Sequence, residues 1–175
     1  MAEQIYILNE NGTFCGLQSR QYVHDNGILH PTVQCWIINK NGDVLIQRRA
    51  ATKDHSAGKW DVSFGGHCTE VSNANNILVS NVIKEGKEEL GLDINPQYII
   101  KLGEVRYTSQ KGKNREIIGV FLININDNHQ FSFIDGEVSE VMWIEPEILR
   151  NHIVNNREEY ANRLGALTLL LFYKK

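Results

Sequence analysis

Alternating apolar and polar positions recur along this chain, and they predict several strands interleaved with a few helices. Gln4 to Leu8 reads as a first strand and Thr13 to Leu17 as its partner, joined by Asn9-Glu10-Asn11-Gly12, whose Asn-Gly pair is a hairpin signal. Thr32 to Ile38 and Val44 to Gln47 flank a second such pair, Asn41-Gly42. Trp60 to His67 reads as a short buried strand running into a Gly-rich loop at Gly65-Gly66. Tyr98 to Tyr107 and Glu116 to Ile125 form longer strands joined by the polar stretch Ser109 to Asn114, a candidate lid over a substrate, and Val138 to Ile144 adds another strand. Pro146 suits the first turn of a short helix through Leu149, and Glu158 to Phe172 reads as a terminal helix. Strands clustered around helices imply an α+β sandwich.

The stretch Lys84-Glu85-Gly86-Lys87-Glu88-Glu89-Leu90-Gly91-Leu92 carries the chemistry. Helical spacing brings Glu85, Glu88 and Glu89 together, and like charges that close repel unless a cation neutralises them, which suits a hard, oxygen-ligated ion such as Mg²⁺. A Lys- and Glu-rich helix is by itself more often a solvated face. What shifts the reading is the unit of strand, glycine pair, carboxylate helix and Gly91 stop. Ser72 or Asn73 is the expected N-cap, and Leu78, Val82, Ile83 and Leu90 the expected core face, with the glutamates toward the loop side. Gly86 inside the helix costs about 1 kcal/mol against Ala, which close packing on a neighbouring element would offset.

Composition narrows the classes. At 175 residues the chain is expected to form one domain over 1–175, with a hairpin at 1–30 packed on it. A net charge of −3 without a basic run speaks against nucleic acid as a partner. Three widely spaced cysteines, Cys15, Cys35 and Cys68, indicate neither a disulfide framework nor a zinc site and fit a reducing cytoplasm. Neither end reads as a membrane span, so no membrane partner is expected; the apolar Leu167 to Phe172 stretch reads as a core helix end that leaves a homodimer open.

The carboxylate segment resembles the signature of the Nudix family, in which Arg-Glu-aliphatic-X-Glu-Glu-X-Gly-aliphatic follows a leading glycine and an earlier glutamate. Lys84 stands for the Arg, Gly86 for the aliphatic residue and Gly66 for the leading glycine. The resemblance implies a Nudix-type α/β/α sandwich with a mixed β-sheet, hydrolysis of a nucleoside diphosphate linked to another moiety, and Glu85, Glu88 and Glu89 as catalytic Mg²⁺ ligands, with Mn²⁺ as a substitute. The segment between Gly66 and Lys84 is longer than in the signature, so the earlier glutamate falls on Asn76 and Glu70 is the nearest replacement.

His24 to Cys68 resembles the Nudix branch that contains isopentenyl-diphosphate isomerase, through Gln47-Arg48-Arg49-Ala50-Ala51-Thr52-Lys53, Gly58-Lys59-Trp60-Asp61-Val62-Ser63 and Gly66-His67. That likeness implies a second metal site from His24, His30, His67 and Glu116, with Asn114 at the fifth ligand position, and suits Mn²⁺ or Zn²⁺. It also places Arg48, Arg49 and Lys53, with Gly65 and Gly66, near a bound diphosphate, which guanidinium and ammonium groups clamp. Two departures favour hydrolysis over isomerisation: Gly65 stands where the isomerases carry a reactive cysteine, and Glu85 and Glu88 are retained where those isomerases tend to keep only the glutamate matching Glu89. Glu116 and Glu140 are candidate bases or outer metal ligands. The small-molecule diphosphate hydrolase is thus the first reading, an isomerase-like enzyme the second, and a diphosphate-binding module with weak turnover the third.

Overall fold

The computed structural model describes residues 2–71, 76–126, 129–161 and 164–173. Its elements in chain order are β1 (Gln4–Leu8), β2 (Phe14–Ser19), α1 (Arg20–Asp25), β3 (Leu29–Ile38), β4 (Val44–Arg49), β5 (Trp60–Asp61), β6 (Phe64–His67), α2 (Ile77–Leu90), β7 (Ile100–Thr108), β8 (Arg115–Asn124), β9 (Val138–Ile144), α3 (Pro146–Asn155) and α4 (Leu164–Tyr173). Both Asn-Gly signals end in hairpins, but the residue that organises each turn lies two positions earlier. Asn9 Oδ1 accepts the N–H groups of Asn11 and Thr13, and Asn39 Oδ1 those of Asn41 and Asp43. The β1–β2 hairpin stands apart from the main sheet and is tied to it at Tyr6, whose N–H donates to Cys68 O at 2.8 Å.

The main sheet is mixed and forks along β3. One edge of β3 runs parallel to β8, with His30 opposite Glu116, and β7 pairs antiparallel with β8. The other edge is shared: residues 32–35 pair with β6, and Ile37 and Ile38 with β4. Ser63 sits at the fork, donating from Oγ to Leu45 O at 2.6 Å and accepting from Ile37 N at 2.7 Å. Beyond it β4 pairs with β5 on one side and β9 on the other.

Strand alternation sorts the core into two layers. Trp36, Ile118, Val120 and Leu122 meet Leu149 and Ile153 of α3 and Leu167 and Leu170 of α4. Val33, Cys35, Ile37, Phe121 and Ile123 meet Val82 and Leu90 of α2. The result is the expected α/β/α sandwich.

Four expectations need correction. The glycine pair lies inside β6 rather than in a loop, because it is hemmed in from both sides. A Cβ on Gly65 would stand 2.4 Å from Val33 O, and one on Gly66 2.4 Å from Glu85 Oε2. The 109–114 segment is a self-contained hairpin turn, with Ser109 Oγ accepting from Asn114 N at 3.0 Å, and it presses on Gly27 instead of forming a lid. The helix at Pro146 runs on to Asn155, because Leu149 and Ile153 continue its buried stripe. The terminal helix, described over Leu164–Tyr173, does not include residues 158–161: Arg157–Glu159 is a single 3-10 turn, after which the chain extends so that Ala161 N–H donates to Trp60 O at 2.8 Å.

Because the obstacle at Gly65 is backbone, Gly65→Ala is expected to destabilise the protein by about 2 to 3 kcal/mol. Urea unfolding of the metal-free protein checks this, and a loss below about 0.5 kcal/mol would show that β6 accommodates a side chain there.

Candidate active site

The helix α2 begins at Asn76, whose Oδ1 accepts Val79 N at 3.2 Å; Ser72 and Asn73 lie outside the described residues. Asn76 therefore serves as a cap at the position where the signature carries a glutamate. The helix stops at Gly91, with φ 72° and Leu92 N–H donating back to Gly86 O at 3.0 Å. Gly86 is indeed tightly packed: a Cβ would lie 2.5 Å from Ile94 Cδ1 and 3.2 Å from the Phe64 ring.

The buried face of α2 carries carboxylates as well as apolar groups. Glu89 is 2% exposed and Glu85 8%, whereas the Glu88 side chain is 47% exposed. The three glutamates thus do not all turn toward the loop side. Glu85 lies against Gly66, which is why that position is glycine. Lys84 bridges two of the carboxylates, with Nζ 3.0 Å from Glu85 Oε1 and 2.9 Å from Glu88 Oε2. Burial would lower the Lys84 pKa, but Glu85 and Glu88 outweigh it and hold the ammonium protonated. Burial raises the Glu85 carboxyl and, more strongly, that of Glu89, where the Glu85 charge adds to the effect. Glu89 accepts a hydrogen bond from Gln47 Nε2 at 2.7 Å.

A cleft of about 230 Å³ opens over this helix. Arg49, Lys53, Gly65, Gly66, Glu85 and Glu88 line it, as do His67 and Glu116. Residues without a sequence signal line it too: Arg20 from α1, and Asp135 and Glu137 from the segment before β9. Asp135 N–H donates to Glu88 O at 3.3 Å, clipping that segment to α2, and Glu137 pairs with Lys53. Arg49 is held by Asp61 at 3.2 Å.

Arg48, Glu70 and Glu140 are absent from the lining, as are Glu89, His24 and His30. Neighbouring residues of a strand point to opposite faces, so Arg48 cannot share the cleft with Arg49. It turns instead to Glu140 at 2.9 Å and lies over Trp60. Glu70 is exposed, beyond a segment that Asn81 fixes by accepting Thr69 N at 3.0 Å and donating to Thr69 O at 3.1 Å.

Three histidines converge around His67, the one of them that lines the cleft. His24 of α1, His30 of β3 and His67 of β6 place one ring nitrogen each within 4.8 Å of one another. His24 Nε2 and His67 Nε2 are 3.1 Å apart. His30 Nδ1–H donates to Ile28 O at 2.8 Å, which leaves the Nε2 lone pair facing inward; it is buried, without a hydrogen-bond partner among the described residues, and 4.0 Å from Glu116 Oε1. Asn114 Nδ2 donates to Glu116 Oε1 at 2.8 Å. Burial lowers all three imidazoles: His24 to about 4, with the neighbouring His30 adding to it, and His67 well below its ordinary value. Neutral imidazoles with an inward lone pair and a carboxylate are a fitting donor set for a borderline divalent ion.

A sequence model of the NUDIX domain matches residues 28–164. The chain belongs to the Nudix family. An uncharacterised Nudix hydrolase of Clostridium acetobutylicum is 28% identical over 159 residues, covering 87% of this chain and 75% of that protein. Isopentenyl-diphosphate Delta-isomerase 1 of Photorhabdus laumondii is 29% identical over 162 residues, covering 89% of this chain and 87% of the isomerase. A Deinococcus radiodurans protein of known crystal structure shares the fold with a TM-score of 0.75 at 21% identity, over 98% of this chain and 99% of that one. The Nudix chain described here is thus similar to both a hydrolase and an isomerase. Family members generally work with divalent metals such as Mg²⁺ or Mn²⁺. Among the described residues no helix is long and apolar enough to cross a membrane.

Proposed function

We propose that this Nudix protein is a Mg²⁺-dependent hydrolase that cleaves a diphosphate linkage in a small molecule, such as a nucleoside diphosphate joined to another group. The observation that carries the reading is the pair of buried carboxylates one helical turn apart, Glu85 and Glu89, of which Glu85 lines a cleft together with Glu88, Arg49 and Lys53. Buried anions of this kind call for a cation, and an all-oxygen donor set suits Mg²⁺. Glu85, Glu88 and Glu89 would hold it, and when bound it supplies Lewis-acid polarisation and neutralises phosphate oxygens. Arg20, Arg49 and Lys53 bind the diphosphate by charge. Asp135 and Glu137, together with Glu88, give the attacking water's proton carboxylates to go to.

An isomerase-like activity is the second reading, supported by the histidine cluster, where His24, His30, His67 and Glu116 would hold a Mn²⁺ or Zn²⁺ ion. Against it, Gly65 offers no acid or base, and burial pushes up the pKa of the neighbouring Cys68 thiol. The deciding experiment incubates the protein with Mg²⁺ and a panel of nucleotide sugars, dinucleotides, nucleoside triphosphates and isopentenyl diphosphate, followed by phosphorus and proton NMR. New phosphate species are expected. A migrated double bond with intact diphosphate would establish the isomerase reading instead. Ligands that raise the melting temperature without being consumed would leave a binding module.

The cleft also separates two adjacent arginines. Arg49→Ala is expected to lower kcat/KM by about 10- to 100-fold, the worth of a charge-assisted phosphate contact, and Arg48→Ala to change it by less than about twofold. Steady-state kinetics on both variants check the assignment, and equal losses would contradict it.

A further inference from the structure

The geometry points to Gln47 as a positioning residue, which holds one oxygen of the Glu89 carboxylate and leaves the other free to meet the cation. This rests on the proposed reading of α2 as a Mg²⁺-binding helix. Gln47 and Glu89 are each 2% exposed, and their 2.7 Å hydrogen bond joins the middle of β4 to the last turn of α2. Gln47 Oε1 is buried without a donor among the described residues, so the amide is engaged at its Glu89 end alone. A half-satisfied buried amide is a poor choice for stability where a methionine of the same length would pack dry.

The type of donor matters as much as its place. Glu85 and Glu88 share the ammonium of Lys84, which cancels part of their charge. Gln47 is neutral and orients Glu89 without competing with a divalent ion. Strand alternation puts Gln47 on the same face of β4 as Arg49, and its register partner on β5 is Asp61, which holds Arg49. One short stretch of β4 therefore supports a metal-binding carboxylate and a diphosphate-binding guanidinium together.

The test is Gln47→Met, which keeps length and removes the donor, probed with Mg²⁺ alone because imidazoles take that ion poorly. Calorimetry is expected to show Mg²⁺ binding 10- to 100-fold weaker than in the wild type, with a metal-free melting temperature equal or higher. On a substrate found by the NMR panel, kcat should fall while KM changes little. Mg²⁺ affinity within twofold of the wild type, or weaker binding that tracks a loss of metal-free stability, overturns the role of Gln47. If Glu89→Gln loses Mg²⁺ and Gln47→Met does not, only that role falls. If Glu89→Gln binds Mg²⁺ as the wild type does, the reading of α2 falls and the inference with it.

Discussion

Glu89→Gln is expected to reduce Mg²⁺-dependent hydrolysis by about 10²- to 10⁴-fold while making the metal-free protein more stable. The two effects have one cause. Glu89 is nearly fully buried, with Glu85 nearby and, among the described residues, only a neutral amide as hydrogen-bond donor. Such a carboxyl binds its proton more tightly in the folded state than in the unfolded chain. Its stabilising contribution is therefore present below its ordinary value of 4.5 and is lost as pH rises through the elevated folded-state value. Glutamine carries no such penalty, so the stability gap between variant and wild type should widen with pH above 4.5 and then level off. Denaturant unfolding in EDTA at a series of pH values measures the gap, and saturating Mg²⁺ should narrow or reverse it by stabilising the wild type alone. A variant that is both inactive and less stable at every pH would mean that Glu89 acts as a structural hydrogen-bond acceptor rather than a cation ligand.

The histidine cluster runs the other way with pH. His24, His30 and His67 have pKa values lowered chiefly by burial, so the folded state binds protons less tightly than the unfolded chain. The stability they permit is complete above about pH 6.5 and drains away as pH falls through their folded-state values, about 4 for His24. Each histidine contributes a slope of up to about 1.4 kcal/mol per pH unit in that window. Because the buried glutamates gain stability over part of the same range, the informative comparison is wild type against His67→Gln at each pH. The variant is expected to resist acidification better without metal. Zn²⁺ should protect the wild type at pH 6 to 7 and do little for the variant. Parallel curves for the two proteins from pH 7 to 4 would sink this account.

What could be read without coordinates depended on how local the determinant is. Val138–Ile144 is legible to the residue because its β-branched and aromatic residues and a flanking glycine turn mark it. Glu85, Glu88 and Glu89 are legible because helical spacing alone makes them neighbours. Arg48 could not be told from Arg49 without knowing which face of β4 meets the cleft. Gln47 carries no signal, since its role exists only through a residue 42 positions away. Arg20, Asp135 and Glu137 enter the cleft through the tertiary paths of α1 and the segment before β9, which no pattern in their own neighbourhoods records. Glu70 is exposed and outside the cleft lining, because the extended segment at Thr69 is fixed by Asn81, which a count along the chain ignores.

The parallel ladder between β3 and β8 has a consequence for the life of the chain before it is folded. β3 is almost wholly buried on both faces and is complete by residue 38, yet its principal partner begins only at residue 115. During synthesis the most completely buried of the strands must wait, with one edge unpaired, until more than half of the chain has emerged. The antiparallel pairings to β4 and β6, which come earlier, cover the opposite edge first. The fork at Ser63 thus allows a nascent chain to shelter this strand before the ladder that completes the sheet can form.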